Sequence, residues 1–290
     1  APEVEPILSG REWSVGWLWG ALPPPTFHTP AMTTKLLGSI KRSKQLATVR
    51  DRIFTLRTFA PELVCNMVEE RKNLNEERII IHTNLVLCLQ QTRAINGAIL
   101  GLEATAKQSF DRSVPIHENL LEELWELLKP GVRRTGGALS SEWGELGFQG
   151  NDPATDFRGM GLLGLQQLVY FARERPSMAR HNLTLSHHPR RYYPFATTGI
   201  NVTAFVLSLA TERRLDGIML QAVNRSEVEG EGDDRELVLA GEEAAHGVYC
   251  DVMEAFAALW EERDPENVMA FRHVFAEVKA RFHRIFPVPY

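Results

Sequence analysis

Apolar residues recur at the three- and four-residue spacing of α-helices along most of the 290-residue chain. Alternating runs of β-branched residues, which would predict strands, are nearly absent. The spacing predicts helices over residues 61–71, 76–109, 116–128, 157–173, 195–214, 236–262 and 266–286. No long period repeats along the sequence, which excludes a solenoid. The sequence therefore predicts an all-α fold, built as a single multi-helix domain.

Local signals indicate where some of the predicted helices begin or are interrupted. Asp152 and Asp264 are each followed by proline, and a side-chain acceptor before a proline is typical of a helix start. Gly97 or Gly101 is expected to interrupt the longest helix, because glycine weakens helix interiors. Residues 225–236 are acidic and contain glycine, so they predict a solvated loop.

The N-terminal region differs in composition from the rest of the chain. Residues 1–32 are rich in proline and carry Trp13, Trp17 and Trp19, and the prolines predict a poorly ordered arm. The tryptophans are candidates for contact with a membrane interface or a partner, and loose packing of the arm on its own domain is the alternative. Residues 33–290 form the predicted helical domain.

A basic segment follows the arm. Residues 33–57 combine apolar residues at helical spacing with a single acidic residue, Asp51, and predict an amphipathic helix. Such a helix could lie against anionic lipid or an acidic partner, and an ordinary solvated helix face is the alternative. Its basic residues are Lys35, Lys41, Arg42, Lys44, Arg50, Arg52 and Arg57.

Composition excludes several classes of protein. With 44% hydrophobic residues the chain is too apolar for a disordered protein. Its net charge is −5, so the chain lacks the excess of basic residues that a nucleic-acid-binding protein needs. The cysteines, Cys65, Cys88 and Cys250, are far apart and predict reduced thiols inside the cell. No uninterrupted apolar run reaches the roughly 18 residues of a membrane span, so we expect a soluble, cytoplasmic protein.

Two short motifs match cofactor patterns without the context that those patterns require. Residues 159–164 follow G-x-G-x-x-G, but no predicted strand precedes them, so Gly161 and Gly164 predict close helix packing rather than a nucleotide site. Glu243 and His246 have the spacing of di-iron helix bundles, yet a second such pair is missing, and we expect an ordinary helical histidine. Neither motif predicts a cofactor.

The segment 143–159 is the most unusual in the chain. It combines aromatic residues, several glycines and two aspartates with a single arginine, Arg158, and leads into an apolar helix. Glycine lets a backbone approach its neighbour closely, and an arginine at such a junction can be held by Asp152 or Asp156. A structural arginine paired with these aspartates is one interpretation. An arginine offered to a phosphate or carboxylate of a partner is the other.

This segment resembles the signature of the ELMO-domain family, specifically its small ELMOD-type members. After Trp143, the matching letters are LGFQG at residues 146–150 and TDFRGMGLLGL at residues 155–165. Similar blocks precede this signature at 123–130 and follow it at 195–203 and 261–271. The resemblance extends roughly from residue 80 to 286, with the ELMO-type region itself at about 118–286.

The resemblance implies a helical domain that stimulates GTP hydrolysis by Arf and Arf-like small GTPases. The family's essential arginine lies in the DFRG element, which matches Arg158. GTP and Mg²⁺ would belong to the partner GTPase, so the resemblance implies no cofactor for this chain. The residues expected to bind the partner or to brace the loop are Trp143, Gly147, Phe148, Gln149, Asp152, Asp156, Phe157 and Gly159.

Alternatives stay open at this point for the arginine and for the chain. Arg158 could enter the partner's active site as a finger, or it could brace its loop through Asp156. A non-catalytic adaptor that binds a small GTPase or a Dock-type exchange factor is the alternative activity, although the resemblance implies that such larger members lack the arginine. Residues 187–191 are a further candidate partner surface, and the basic segment is a candidate for peripheral contact with an anionic membrane.

Overall fold

The computed structural model describes residues 30–73, 78–229 and 233–289, and every regular element in these ranges is helical. The predicted all-α class is therefore confirmed. The α-helices are α1 (Pro30–Arg42), α2 (Ala47–Arg50), α3 (Pro61–Lys72), α4 (Arg78–Lys107), α5 (Pro115–Leu128), α6 (Gly161–Glu174), α7 (Pro176–Ser186), α8 (Phe195–Thr211), α9 (Asp216–Glu229), α10 (Asp234–Arg263) and α11 (Phe271–Ile285). A π-helix continues α2, and three short 3₁₀ helices complete the described elements: Asp51–Leu56, Ser141–Leu146, Pro153–Arg158 and Val268–Ala270.

The N-terminal part of the structure differs from two predictions, the arm over residues 1–32 and the single helix over residues 33–57. Residues 1–29 of the predicted arm lie outside the described residues, and residues 30–32 are the first turn of α1. The single basic helix predicted over residues 33–57 is wrong, because the chain turns between α1 and α2. Leu46 is buried at this turn, which lets the apolar sides of both helices fold onto one cluster.

Helix α4 lies at the centre of the fold. It packs against α1, α3, α6, α8, α9 and α10. Its N-terminal half carries Leu85 and Leu89 into a smaller apolar cluster with α1, α2 and α3. Its C-terminal half carries Ile95 and Ile99 into the main cluster with α5 to α11. The stretch His82–Lys107 is long and apolar enough to cross a membrane by length and composition, and 61% of its most apolar window is buried among the other helices.

The glycines of α4 serve packing and do not interrupt the helix, so the predicted break is wrong. A Cβ atom added at Gly97 would lie 2.7 Å from Cγ2 of Val238 on α10. One added at Gly101 would collide with Oε1 of Glu242, one turn further along α10. Gly97 therefore lets α4 and α10 approach each other more closely than a larger residue would allow, because the branched side chain of Val238 lies directly against it. The flexible end of Glu242 could turn away from a side chain at position 101, so Gly101 is less restrictive.

Three predicted boundaries differ from the structure because the backbone turns at particular residues. The helix predicted over 157–173 begins only at Gly161, where a φ of +51° separates α6 from the 3₁₀ helix before it. The helix ending at 214 stops earlier, because Arg213 has a φ of +66°. Asp264 does not start a helix; it ends α10 with a φ of +43°, and Asn267 caps the next element instead.

Two helices were not predicted, and the acidic loop is mostly helical. Helices α7 and α9 carry many polar residues, which weakens their apolar period. The predicted loop 225–236 begins inside α9, and residues 230–232 lie outside the described residues. Asp233 and Glu236 then form a reciprocal capping box that starts α10.

Gly199 generates a prediction about the junction of α6, α8 and α10. A Cβ at this position would collide with Cδ2 of Leu168 and lie 2.6 Å from the hydroxyl of Tyr249. We expect Gly199→Ala to lower the free energy of unfolding by about 1–2 kcal/mol, because overpacking outweighs the gain of roughly 1 kcal/mol that alanine gives inside a helix. Gly247→Ala in α10 is the matched control, since its Cβ would meet nothing within 4 Å, and it should raise stability. Urea unfolding measures both, and a Gly199→Ala protein as stable as the parent would contradict the packing argument.

Candidate functional site

Residues 140–159, here called the site loop, consist of two 3₁₀ helices whose ends are closed by polar groups. Ser140 Oγ caps the first helix by accepting a backbone N–H two residues later at 3.2 Å. Asp152 Oδ1 caps the second helix in the same way at 2.9 Å, which confirms the helix start predicted there. The backbone N–H of Ser140 donates to the carbonyl of Asn151 at 3.0 Å, so the start of the loop is bonded to its middle.

A chain of aromatic rings, buried except for the partly buried Phe110, lies under the site loop. Trp143 packs edge-on against Trp125 of α5 and against Phe148, with ring centroids 5.9 and 6.2 Å apart. Phe148 contacts Phe157 at 5.5 Å, and Phe157 contacts Phe110 at 5.4 Å. Ring pairs of this kind contribute roughly 0.5–1.5 kcal/mol each beyond their buried area. The rings thus fix the position of a segment that has little regular backbone hydrogen bonding.

A second support covers the outer side of the aromatic chain. The guanidinium carbon of Arg134 lies 3.8 Å from the ring centroid of Trp143, and the same group forms an ion pair with Glu122. Glu142 accepts hydrogen bonds from two successive backbone N–H groups, including that of Gly136 at 2.8 Å. These bonds lower the pKa of Glu142 to about 2. Both side chains tie the connection after α5 to the site loop.

Two glycines allow the site loop to touch neighbouring backbones. Gly147 has a φ of +82°, and a Cβ there would collide with the backbone nitrogen of Phe195 at the start of α8. Gly161 follows the loop and lies against carbonyl groups at the end of α4, where the next N–H donates to Gln108 O at 2.8 Å. The loop is therefore held between the end of α4 and the start of α8.

The two aspartates of the loop have partners other than Arg158. Arg112 Nη2 forms an ion pair with Asp152 Oδ1. Asp156 Oδ2 accepts the backbone N–H of Gln149 at 2.9 Å. Burial raises the pKa of Asp156, while the Gln149 N–H and the charge of Arg158 oppose that rise. The direct pairing of Arg158 with these carboxylates that the sequence suggested is not the arrangement found.

Arg158 ends the second 3₁₀ helix, and its side chain is exposed. Its Nε donates to the carbonyl of Thr155 at 2.8 Å, and this is the guanidinium's only hydrogen bond to any residue that the structure describes. Thr155 is itself held, because its hydroxyl donates to Asp152 O at 2.8 Å. Beside the arginine, Gly159 is exposed and a Cβ there would meet nothing within 4 Å. The result is an anchored cation with free N–H donors and open space next to it.

The predicted site residues differ in how far they are exposed to solvent. Trp143, Phe148 and Phe157 are at most 5% exposed and support the loop from inside, so they do not form a partner face. Gly147, Asp152 and Asp156 are partly buried and shape the loop. The exposed members of the predicted set are Gln149, Arg158 and Gly159.

The other predicted surfaces are only partly available. In the run 187–191, Arg190 and Arg191 both pair with Asp264 Oδ1, at 2.6 and 2.7 Å. In the basic segment, Arg57 Nη1 pairs with Glu103 Oε1 at 2.7 Å. The basic residues of that segment that are exposed are Lys35, Lys41, Arg42 and Lys44.

Three residues that shape the site were not found from the sequence: Arg112, Arg134 and Thr155. Arg112 lies 40 residues from its partner Asp152, and no local pattern links the two. Arg134 is likewise placed only by the fold. A signal did exist for Thr155, because a threonine three residues after a capping aspartate can bond that residue's carbonyl.

The two cofactor-like motifs have packing roles. His246 Nδ1 lies 3.1 Å from Nε2 of Gln167, its ring contacts Tyr170, and burial lowers its pKa to about 4. A Cβ at Gly164 would sit 3.4 Å from Ile200 on α8, an ordinary van der Waals distance, whereas Gly161 does make the close contact that was predicted. Among the described residues, side chains that could hold a metal ion come together elsewhere, between α3 and α4.

Comparisons with known proteins show which family the chain resembles. A family model described as "ELMO/CED-12 family" matches residues 101–275. The chain is 43% identical over 175 residues to "ELMO domain-containing protein B" of Dictyostelium discoideum, covering 59% of this chain and 60% of that protein. It is 34% identical over 205 residues to "ELMO domain-containing protein 2" of Homo sapiens, covering 70% and 65%. The chain thus spans less than two thirds of the length of these relatives, and no solved structure matches it.

Gly147 and Gly150 provide a test of how the site loop is held. We expect Gly147→Ala to lower the free energy of unfolding by about 2–4 kcal/mol, because it combines left-handed strain with a collision against the α8 backbone. Gly150 also has a positive φ, +70°, but a Cβ there would meet nothing within 4 Å. Gly150→Ala should therefore cost only the strain, about 1–2 kcal/mol. Urea unfolding with limited proteolysis of the loop measures the difference, and equal costs would contradict the contact with α8.

Proposed function

The chain belongs to the ELMO/CED-12 family, and from this premise we propose that it is a GTPase-activating protein for Arf or Arf-like small GTPases. The observation that carries the proposal is the exposed guanidinium of Arg158 at the end of the site loop. Within the part of the chain that the structure describes, this guanidinium makes one hydrogen bond, from Nε. The resemblance of the DFRG element to the family's arginine motif assigns the role to the same residue.

The proposed chemistry needs little from the activating protein. A small GTPase already binds the phosphates and Mg²⁺, and hydrolysis is limited by negative charge that develops on the transferring phosphoryl group. An arginine supplied by a partner accelerates such hydrolysis by about 10³ to 10⁵, equivalent to about 4–7 kcal/mol of the barrier. A planar guanidinium can donate to two phosphate oxygens at once, which a lysine ammonium does not reproduce. The Nη groups of Arg158 are available for such contacts.

The surroundings of Arg158 support a close approach by another protein. Gly150 and Gly159 are exposed and have no side chain, and the nearby Gln149 and Thr155 are exposed and polar. A partner's backbone would meet little obstruction there. The nucleotide and Mg²⁺ would come with the GTPase, so this chain would need no cofactor.

We place the proposed activity in the cytoplasm, peripherally at membranes that carry lipid-bound GTPases. The exposed lysines and arginine of the basic segment support this, because clustered cations are attracted to anionic leaflets. Arg57 of the same segment pairs with Glu103, which reduces the number of charges available.

Arg158 is tested by single-turnover hydrolysis with a panel of purified, GTP-loaded Arf and Arf-like proteins. We expect the parent chain to accelerate hydrolysis by at least one of them. Arg158→Ala and Arg158→Lys should each lower the stimulated rate by about 10³-fold or more, because neither can bond two phosphate oxygens. Arg272→Ala, which removes an exposed arginine of α11, should leave the rate unchanged.

The outcomes separate the roles that the sequence left open. An Arg158→Ala protein as active as the parent would overturn the assignment. Retained binding to the GTP-bound partner with lost hydrolysis would identify an inserted finger, whereas a loss of unfolding free energy would identify a brace. GTP-dependent binding without acceleration across the whole panel would identify a non-catalytic adaptor.

A further inference from the structure

Three side chains with metal-binding atoms converge between α3 and the first turns of α4. Cys65 and Glu69 lie one turn apart on α3, and His82 faces them from α4. Cys65 Sγ is 3.4 Å from His82 Nδ1 and 3.8 Å from Glu69 Oε1. His82 Nδ1 is 2.9 Å from Glu69 Oε1. A thiol, an imidazole and a carboxylate are thus directed at one small space.

The spacing of these three atoms is close to one face of a tetrahedral metal site. Zinc bonds of about 2.3 Å to sulfur and about 2.0–2.1 Å to nitrogen and oxygen would separate sulfur from the lighter atoms by about 3.5 Å, and nitrogen from oxygen by about 3.3 Å. The three observed distances differ from these values by a few tenths of an ångström. Small side-chain rotations would therefore suffice to bring all three atoms to bonding distance of one ion.

The same geometry does not suit a nucleophilic thiol. In a Cys-His-carboxylate triad the two imidazole nitrogens bond different partners, so that the histidine relays a proton between them. Here Nδ1 faces both the sulfur and the carboxylate. The thiol is also fully buried. A thiol that a substrate cannot reach is a poor nucleophile.

We propose that Cys65, Glu69 and His82 bind a zinc(II) ion, with water as the fourth ligand. Thiolate and imidazole together favour zinc over the hard cations magnesium and calcium. One thiolate and one carboxylate neutralise the two charges of the ion, which matters because Glu69 is only 7% exposed. The side chain of His82 is 41% exposed, so the ion and its water can reach the site from that side.

The site would cross-link α3 to α4 and is separate from the proposed activity. It belongs to the smaller apolar cluster, near the N-terminal end of α4. Gln108, which supports the site loop, lies 26 residues after His82 along the chain, and 26 residues of helix span about 39 Å. Zinc binding should therefore stabilise α3 against α4 without requiring Arg158.

Cobalt(II) titration of the metal-free full chain tests the proposal, because cobalt takes the same geometry and gives a sulfur-to-cobalt charge-transfer band. We expect one ion per chain, with that band and the visible spectrum of a tetrahedral site, and displacement by zinc. Zinc should also raise the unfolding temperature. His82→Gln should weaken binding by about 100-fold or more, since even outer-shell changes cost about 10- to 100-fold. The same spectrum should be missing in Cys65→Ser.

Two controls keep the outcome specific. His181→Gln removes an exposed histidine of α7, and Cys250→Ala removes a buried cysteine of the main cluster, and neither should change cobalt affinity. Should Cys65→Ser fail to fold, the half-exposed His82→Gln variant carries the test. A parent chain without a charge-transfer band, or binding that persists unchanged in His82→Gln, would overturn the proposal.

Discussion

Helix α4 has to be covered on most of its circumference, and the arrangement of the other helices follows from that requirement. Apolar residues occur on several of its faces, so a single neighbouring helix could not bury them. Two separate clusters form along its length, one with the N-terminal helices and one with the remainder of the described chain. The close approach of α10 depends on Gly97, since a larger residue there would meet Val238 and hold the two longest helices apart.

The site loop depends on the same helix at its far end. The backbone of Gly161 lies against carbonyl groups at the end of α4, and the aromatic chain from Trp125 to Phe110 fills the space beneath the loop. These contacts depend on shape, because the rings from Trp125 to Phe157 meet edge to face and the ring of Phe110 is tilted against that of Phe157. Gly147 and Gly161 lie directly against neighbouring backbone. A loop held in this way can present an exposed residue at a fixed position without being part of a regular helix.

The sequence predicts the helices of this protein better than it predicts their ends. Apolar spacing identifies α3, α4, α5, α8 and α10 within a few residues, because core burial and helical period coincide there. The ends depend on single backbone turns, such as those at Gly161 and Asp264, which periodicity does not contain. For the site, the residue types of the segment singled out Arg158. The residues that bond its neighbouring aspartates could not be predicted from the sequence. Arg112 bonds Asp152 only because the fold brings together residues 40 positions apart.

The sequence presented two alternative roles for Arg158, an inserted finger and a brace of its own loop. In the structure these two roles use different nitrogen atoms of the side chain. Arg158 uses Nε to bond Thr155 O, and Thr155 is bonded in turn to the capping residue of the same 3₁₀ helix. The nitrogen that holds the loop is therefore different from the nitrogens that would bond a phosphate. An arginine free in solution loses up to about 2 kcal/mol of rotamer freedom when it is fixed, and one already anchored at Nε has lost part of it before a partner binds. In the proposed activity, bracing would thus lower the entropic cost of inserting the same side chain, so the two roles would reinforce each other.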